Sequence, residues 1–73
     1  MNILVTCAGG PAAVGVIKSF HDFDSQGKHK TVAIDCDELS VGFHLADRSY
    51  VVPFSVEDDY WKEVLKVIRK EEI

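Results

Sequence analysis

Short, nearly continuous apolar runs alternate along this chain with segments whose apolar residues recur every three or four positions. The runs cover residues 2–6, 31–35 and 49–52. Unbroken runs of this length are typical of strands that are buried on both faces of a sheet. The first run leads to a glycine pair, and the third stops at Pro53. The pattern therefore predicts three strands, of which the first two are buried in character.

A helix is predicted after the first strand. Pro11 suits its first turn, where a missing N–H leaves no hydrogen bond unmade. From there to residue 23 the apolar side chains recur at three- and four-residue steps, and they are Ala13, Val16, Ile17, Phe20 and Phe23. This spacing predicts an amphipathic helix that covers one face of the sheet.

Two more helices are predicted from capping residues and spacing. Ser40 can cap a short helix through about Ala46, which Gly42 weakens. Ser55 can cap the last helix with Asp58 three residues on, in a weak form of the capping box. The apolar stripe of this helix is predicted to lie in the core, and it consists of Trp61, Val64, Leu65 and Ile68.

The alternation of strands and helices predicts parallel strands, because parallel neighbours need crossover connections. We therefore predict an α/β fold, a three-layer, Rossmann-like open parallel sheet with the element order βαβαβα and the strand order 3-2-1. The first strand then has a bare edge, which invites pairing. We expect residues 1–73 to be a single domain that is truncated before a fourth strand and belongs to a larger chain. A self-sufficient small domain and a homodimer paired through the sheet edge are the alternatives.

Composition narrows the function classes. A chain of 73 residues has a thin core, since it buries only about 60 % of its unfolded surface. Its 12 acidic and 8 basic side chains give a net charge of -4, which is opposite to the charge that nucleic-acid binding requires. No apolar run approaches the roughly 20 residues of a membrane span, and no basic leader precedes the first strand. We expect a cytoplasmic protein with no nucleic-acid or membrane partner and with reduced cysteines.

The glycine turn carries part of a dinucleotide-binding pattern. Gly10, Ala12 and Gly15 match Gly-x-Gly-x-x-Gly with alanine at the second position, and Asp35 lies 20 residues beyond Gly15. Ala12 adds a methyl group where backbone should approach a pyrophosphate, and Pro11 removes one N–H. The alternative is that these glycines serve only turn geometry and helix packing.

An acidic loop follows the second strand and consists of Asp35, Cys36, Asp37 and Glu38. Such a carboxylate can accept hydrogen bonds from ribose hydroxyls, or hold a cation if further oxygen ligands converge. A solvated loop that caps the next helix is the simpler interpretation. Cys7 and Cys36 follow strands predicted to be neighbours, so a thiol pair or soft-metal site is geometrically conceivable. Because neither cysteine has a suitably spaced cysteine or histidine partner, we predict no metal site. We also predict no catalytic histidine, because His21, His29 and His44 have no carboxylate or nucleophile at a diagnostic spacing.

Three segments carry a resemblance to a known family. They read Met-Asn-Ile-Leu-Val-Thr-Cys-Ala-Gly-Gly, Thr-Val-Ala-Ile-Asp-Cys-Asp and Leu-Ala-Asp-Arg-Ser-Tyr-Val-Val-Pro. Together they resemble the N-terminal, pre-ATP-grasp domain of ATP-grasp ligases, most closely the branch that is like the large chain of carbamoyl-phosphate synthase. The third segment, residues 45–53, is the most discriminating, because nicotinamide dehydrogenases do not usually carry it. The resemblance covers essentially the whole chain.

The resemblance implies a division of labour between this domain and later ones. ATP-grasp ligases use ATP and magnesium to activate a carboxylate as an acyl phosphate, which an amine or other nucleophile attacks. Two later subdomains clamp the nucleotide, so the resemblance implies no catalytic residue, cofactor or metal in this chain. It assigns contact with the carboxylate or phosphate substrate to the glycine turn, at Ala8, Gly9, Gly10 and Pro11. Asp35 and Asp37 are further candidate ligand contacts, and Cys7 stands where serine is more usual.

Three functions follow as hypotheses. The leading one is the substrate-side domain of an ATP-dependent carboxylate–amine ligase, inactive alone, whose partners are the remaining ATP-grasp subdomains and a small carboxylate. The second is a Rossmann-type nicotinamide-binding domain of an oxidoreductase. The third is a non-enzymatic interaction module that offers its sheet edge to another chain.

Overall fold

The computed structural model describes residues 1–24 and 26–73 and has one sheet between two helical layers. In chain order the elements are β1 (Asn2–Val5), α1 (Pro11–Phe23), β2 (Lys30–Asp35), a 3₁₀ helix (Val41–His44), β3 (Arg48–Val51) and α2 (Tyr60–Lys70). The strands are parallel and lie in the order β1-β2-β3, with Leu4 opposite Val32 and Ala33 opposite Ser49. These findings confirm the predicted α/β sheet and its strand order.

Alternation along the strands builds a hydrophobic cluster on each face of the sheet. On one face Val5 and Ala33 pack with Ala13 and Ile17 of α1, and residues of the segment 43–46 close the same cluster. On the other face Val32 and Ile34 pack with residues of α2, namely Val64 and Val67. The 3₁₀ helix therefore shares the α1 layer, and the predicted three layers are present.

The last helix begins later than predicted. Residues 55–59 form turns, with the N–H of Glu57 donating to the C=O of Phe54 and the N–H of Tyr60 donating to that of Glu57. Asp59 is the N-cap and makes no side-chain capping bond. The predicted capping box of Ser55 and Asp58 is thus wrong, because both residues lie in the turns that precede α2.

The buried face of α2 also differs from the predicted stripe. Trp61 is 67 % exposed and Leu65 is 44 % exposed, whereas Val67 is buried beside Val64. At 100° per residue, the face centred on Val64 and Val67 is rotated by roughly 80° from the centre of the sequence stripe. The core positions predicted for Trp61 and Leu65 are therefore wrong, and Ile68 is only partly buried.

Two carboxylates fasten the helical layers to the sheet. Asp47 Oδ2 accepts hydrogen bonds from the N–H of Thr31 at 2.8 Å and from its hydroxyl at 3.1 Å. The Glu71 carboxylate is buried, accepts a hydrogen bond from the Tyr50 hydroxyl, and pairs with Lys30 Nζ at 2.9 Å. These contacts, led by the Tyr50 hydrogen bond, lower the pKa of Glu71, and the same bond raises the pKa of Tyr50.

Candidate functional site at the carboxyl edge of the sheet

The glycine turn starts with an extra residue at the end of β1. The register of β1 on β2 would bring the N–H of residue 7 to the C=O of Ile34, but the N–H of Ala8 donates there instead, at 3.2 Å. Cys7 takes the left-handed conformation, with φ 52°, that this insertion requires. A non-glycine residue there costs of order 1 kcal/mol. The insertion displaces Cys7 from the ladder and places residues 8–10 above the end of β2.

The backbone donors of the predicted substrate turn are all engaged within the protein. The N–H of Ala8 bonds to Ile34, that of Gly9 donates to Asp35 Oδ2 at 3.0 Å, and that of Gly10 donates to the C=O of Cys7 at 2.9 Å. Pro11 has no N–H. The predicted contacts at residues 8–11 thus form one turn, but the turn presents no spare backbone donor to an anion.

The free donors of this region belong to the first turn of α1. The N–H of Val14 donates to the C=O of Gly10 at 3.2 Å and is the first intrahelical bond. The preceding N–H groups, at Ala12 and Ala13, have no intrahelical acceptor. They adjoin an apolar groove of about 440 Å³ that runs along the free edge of β1 and includes Val16.

Asp35 joins the end of β2 to the glycine turn. Its Oδ2 accepts the Gly9 bond and its Oδ1 accepts a hydrogen bond from the N–H of Cys36 at 2.9 Å. Asp37 lies apart from this arrangement, because its Oδ1 accepts a bond from the N–H of Leu39, at 2.9 Å, within its own loop. Of the two candidate acidic contacts, the structure therefore brings only Asp35 to the turn.

Gly42 and Ser40 complete the site, and sequence reasoning missed their role. The N–H of Gly42 donates to the C=O of Ala8 at 3.0 Å, and a Cβ at position 42 would lie 2.3 Å from that oxygen. Ser40 is 4 % exposed and its Oγ has no hydrogen-bond partner. A Cβ at Gly9 would lie 3.3 Å from this Oγ. The one sequence signal for this contact was a glycine inside a short predicted helix.

The electrostatics of this edge are acidic. Residues 1–17, 31–47 and 49–61, which contain all three loops at the carboxyl ends of the strands, have no lysine or arginine. Within residues 1–24 and 26–73, no three histidine, cysteine, aspartate or glutamate side chains come together as a metal site. The edge is therefore poorly suited, by itself, to a polyanion such as a nucleotide.

A comparison with protein families decides the relationship. The family model described as PylC-like, N-terminal domain, matches residues 3–73. The chain belongs to this family. It is the pre-ATP-grasp N-terminal domain of ATP-grasp ligases, as the three sequence segments indicate. A search among curated proteins finds no match. In the part of the chain that the structure describes, no helix has both the length and the apolar character to cross a membrane.

Proposed function

We propose that this chain is the substrate-side domain of an ATP-dependent carboxylate–amine ligase of the carbamoyl-phosphate-synthase large-chain-like branch, and that it is inactive alone. The observation that carries the proposal is that the backbone N–H groups of Ala8, Gly9 and Gly10 all have acceptors within the protein, Asp35 being one of them. A turn whose donors are engaged, at an edge without lysine or arginine, does not fit the phosphates of ATP. ATP and magnesium would bind in the remaining ATP-grasp subdomains.

The part left to this domain is to form one wall of the site. The small carboxylate substrate would lie at the first turn of α1, where the N–H groups of Ala12 and Ala13 offer the donors that the turn at Ala8 to Pro11 does not. A carboxylate carries one charge and needs fewer donors than a triphosphate, so two backbone N–H groups and the helix dipole suit it. The cations that neutralise its activated form would come from the partner subdomains.

The free edge of β1 is the surface proposed to meet the rest of the ligase. On the α1 face Val16 is 45 % exposed in the groove beside β1. On the other face Glu63, Lys66 and Lys70 of α2 lie beside β3, so the flank with Trp61 and Leu65 lies towards β1. The apolar stripe of α2 is thus centred beyond the sheet that this chain builds. A further strand on β1 would place apolar surface under that stripe.

Calorimetric titration of the chain with MgATP tests the proposal. We expect no detectable binding, and low-micromolar affinity would overturn it. A parallel titration with NADH, followed by nicotinamide fluorescence, tests the dinucleotide alternative. Saturable NADH binding would favour an oxidoreductase domain.

Sedimentation over a range of concentrations tests the edge separately. A tight dimer would favour the interaction module, in which a second copy covers β1. The coding sequence that follows position 73 is a further test of the family branch. A strand followed by a glycine-rich hairpin, a lysine and paired acidic residues would support the ligase.

A further inference from the structure

Cys7 and Cys36 lie at the ends of two hydrogen-bonded neighbouring strands. Cys7 follows β1 and Cys36 follows β2 directly, and these strands are paired in parallel. Both cysteines line one cavity of about 200 Å³ on the α2 side of the sheet, together with Ile34 and Tyr60. They are 29 positions apart in the sequence, and the pairing of β1 with β2 brings them to the same edge of the sheet.

The extra residue in the glycine turn is what permits the pairing. In an unbroken ladder the positions after Val5 would continue to alternate between the two faces of the sheet. The insertion at Cys7, with its left-handed backbone, moves the ladder bond to Ala8. Cys7 is thereby free of the ladder and lines the same cavity as Cys36.

We propose that Cys7 and Cys36 are a redox-active thiol pair, which closes to an intramolecular disulfide in exchange with a low-molecular-weight disulfide such as oxidised glutathione. The Cys7 thiolate attacks one sulfur of the small disulfide, forms a mixed disulfide and releases one small thiolate. The Cys36 thiolate then attacks Cys7 Sγ and releases the second. The protons of the two protein thiols pass to the departing thiolates. The protein loses two electrons, and the small disulfide gains them.

Exposure sets the order of the two attacks. Cys7 is exposed, and Cys36 is partly buried. Burial, together with the neighbouring Asp35 carboxylate, raises the pKa of Cys36, so a smaller fraction of it is thiolate at neutral pH. Cys7 is therefore the residue that meets the small disulfide, and Cys36 resolves the mixed disulfide.

The bond would tie together the two loops that hold the candidate site. Cys7 precedes the turn that contains Gly9, and Cys36 follows Asp35, whose carboxylate accepts the Gly9 hydrogen bond. Oxidation would hold these loops at a fixed separation. This inference does not depend on the proposed ligase function, because it concerns only the two thiols and the fold that brings them together.

Equilibration in glutathione redox buffers tests the thiol pair. The folded chain is incubated at several ratios of reduced to oxidised glutathione, quenched with acid, alkylated and measured by intact mass. The same incubation is made in urea, and with Cys7→Ser and Cys36→Ser as matched single-cysteine variants. We expect the folded chain to lose two hydrogen atoms, with a peptide map that joins Cys7 to Cys36. Each variant should carry bound glutathione instead.

The proposal requires that the folded structure favours formation of the disulfide between Cys7 and Cys36. We expect the equilibrium constant for the intramolecular disulfide to be at least about tenfold larger in the folded chain than in urea. Equal constants in the two conditions would overturn the proposal. It would also be overturned if the folded chain stayed reduced, or carried glutathione as the single-cysteine variants do. The comparison in urea uses the natural sequence, so it stands even if a variant folds poorly.

Discussion

Replacing Gly42 with alanine tests the contact between the 3₁₀ helix and the glycine turn. The added Cβ would lie 2.3 Å from the Ala8 carbonyl oxygen and 2.8 Å from the Ala8 Cβ. A Cβ atom is essentially never found within 3.0 Å of such a neighbour, and neither the Ala8 oxygen nor the Ala8 Cβ is the far end of a flexible side chain that could move away. The 3₁₀ helix must therefore move away, and the 3.0 Å hydrogen bond from Gly42 to Ala8 is lost.

The cost follows from these two changes. Overpacking that shifts backbone costs about 1–3 kcal/mol, and one lost backbone hydrogen bond costs about 0.5–1.5 kcal/mol. We expect Gly42→Ala to lower the free energy of unfolding by about 2–4 kcal/mol, which is a large part of the total for a domain of this size.

Urea unfolding followed by far-ultraviolet circular dichroism measures this loss, with two other glycines as controls. A Cβ at Gly9 meets mainly the Asp35 side chain, at 2.7 Å, which can move, so Gly9→Ala should cost less. A Cβ at Gly15 in α1 meets nothing within 4 Å, so Gly15→Ala should stabilise by about 0.5–1 kcal/mol. If Gly42→Ala unfolds at the same urea concentration as the natural chain, the inferred packing of the 3₁₀ helix is wrong.

Three further predictions, two of them with a matched control substitution, test other contacts of the fold. Asp47→Ala should lower the free energy of unfolding by about 1–3 kcal/mol, measured in urea, because it leaves the buried donors at the start of β2 without an acceptor. Hydrogen bonds lower the pKa of Glu71, so its stabilisation is present above the ordinary glutamate pKa and is lost as the pH falls through its folded value. Glu71→Gln should therefore flatten the acid unfolding curve, and Glu72→Gln, with its exposed side chain, should leave the curve unchanged. Trp61→Ala should change the unfolding free energy by less than about 0.5 kcal/mol, whereas Val64→Ala should cost about 2 kcal/mol; equal losses would contradict the assigned face of α2.

The sheet could be predicted from the sequence because its signals are local and repeated. Each strand overlaps a short, nearly continuous apolar run of the sequence, and helical spacing follows the first and third runs, so parallel order and two covered faces follow from crossover rules. The third strand is less buried than the other two, because three of its four residues are exposed at the edge of the sheet. The face of α2 could not be predicted in the same way. The apolar stripe of α2 is wider than the part of the helix that this chain buries, because Trp61 and Leu65 belong to the stripe and remain exposed.

The sequence predicts that Asp35 and the glycine turn lie at the same edge of the sheet, but not which hydrogen bonds join them. Spacing places Asp35 and the glycine turn at the same edge, because both follow parallel strands. The spacing does not predict which N–H group donates to the Asp35 carboxylate. In the structure that group is the N–H of Gly9, which is thereby unavailable to a ligand. The contact from Gly42 to Ala8 joins two backbones. A contact between two backbones produces no periodic pattern in the sequence. Its only sign in the sequence is that position 42 is a glycine.

Removal of the Asp35 carboxylate should change anion affinity in opposite directions in the proposed ligase domain and in a dinucleotide-binding domain. In a dinucleotide domain an acidic residue at this position accepts hydrogen bonds from ribose, so its removal weakens binding of the nucleotide. Here Asp35 Oδ2 occupies the N–H of Gly9, and its negative charge lies beside the start of α1. Asp35→Ala frees that donor and removes the charge, so affinity for an anion should rise.

Inorganic phosphate is the probe for this effect, with the amide resonance of Gly9 followed by NMR titration. An anion at a helix N-terminus gains up to about 1 kcal/mol, so we expect the phosphate affinity of Asp35→Ala to exceed that of the natural chain about fivefold. Asp35→Asn keeps an acceptor of the same shape for Gly9 and should give a smaller rise. If Asp35→Ala binds phosphate no better than the natural chain, the turn was never closed by this carboxylate. Loss of NADH binding in the same variant would instead support the dinucleotide alternative.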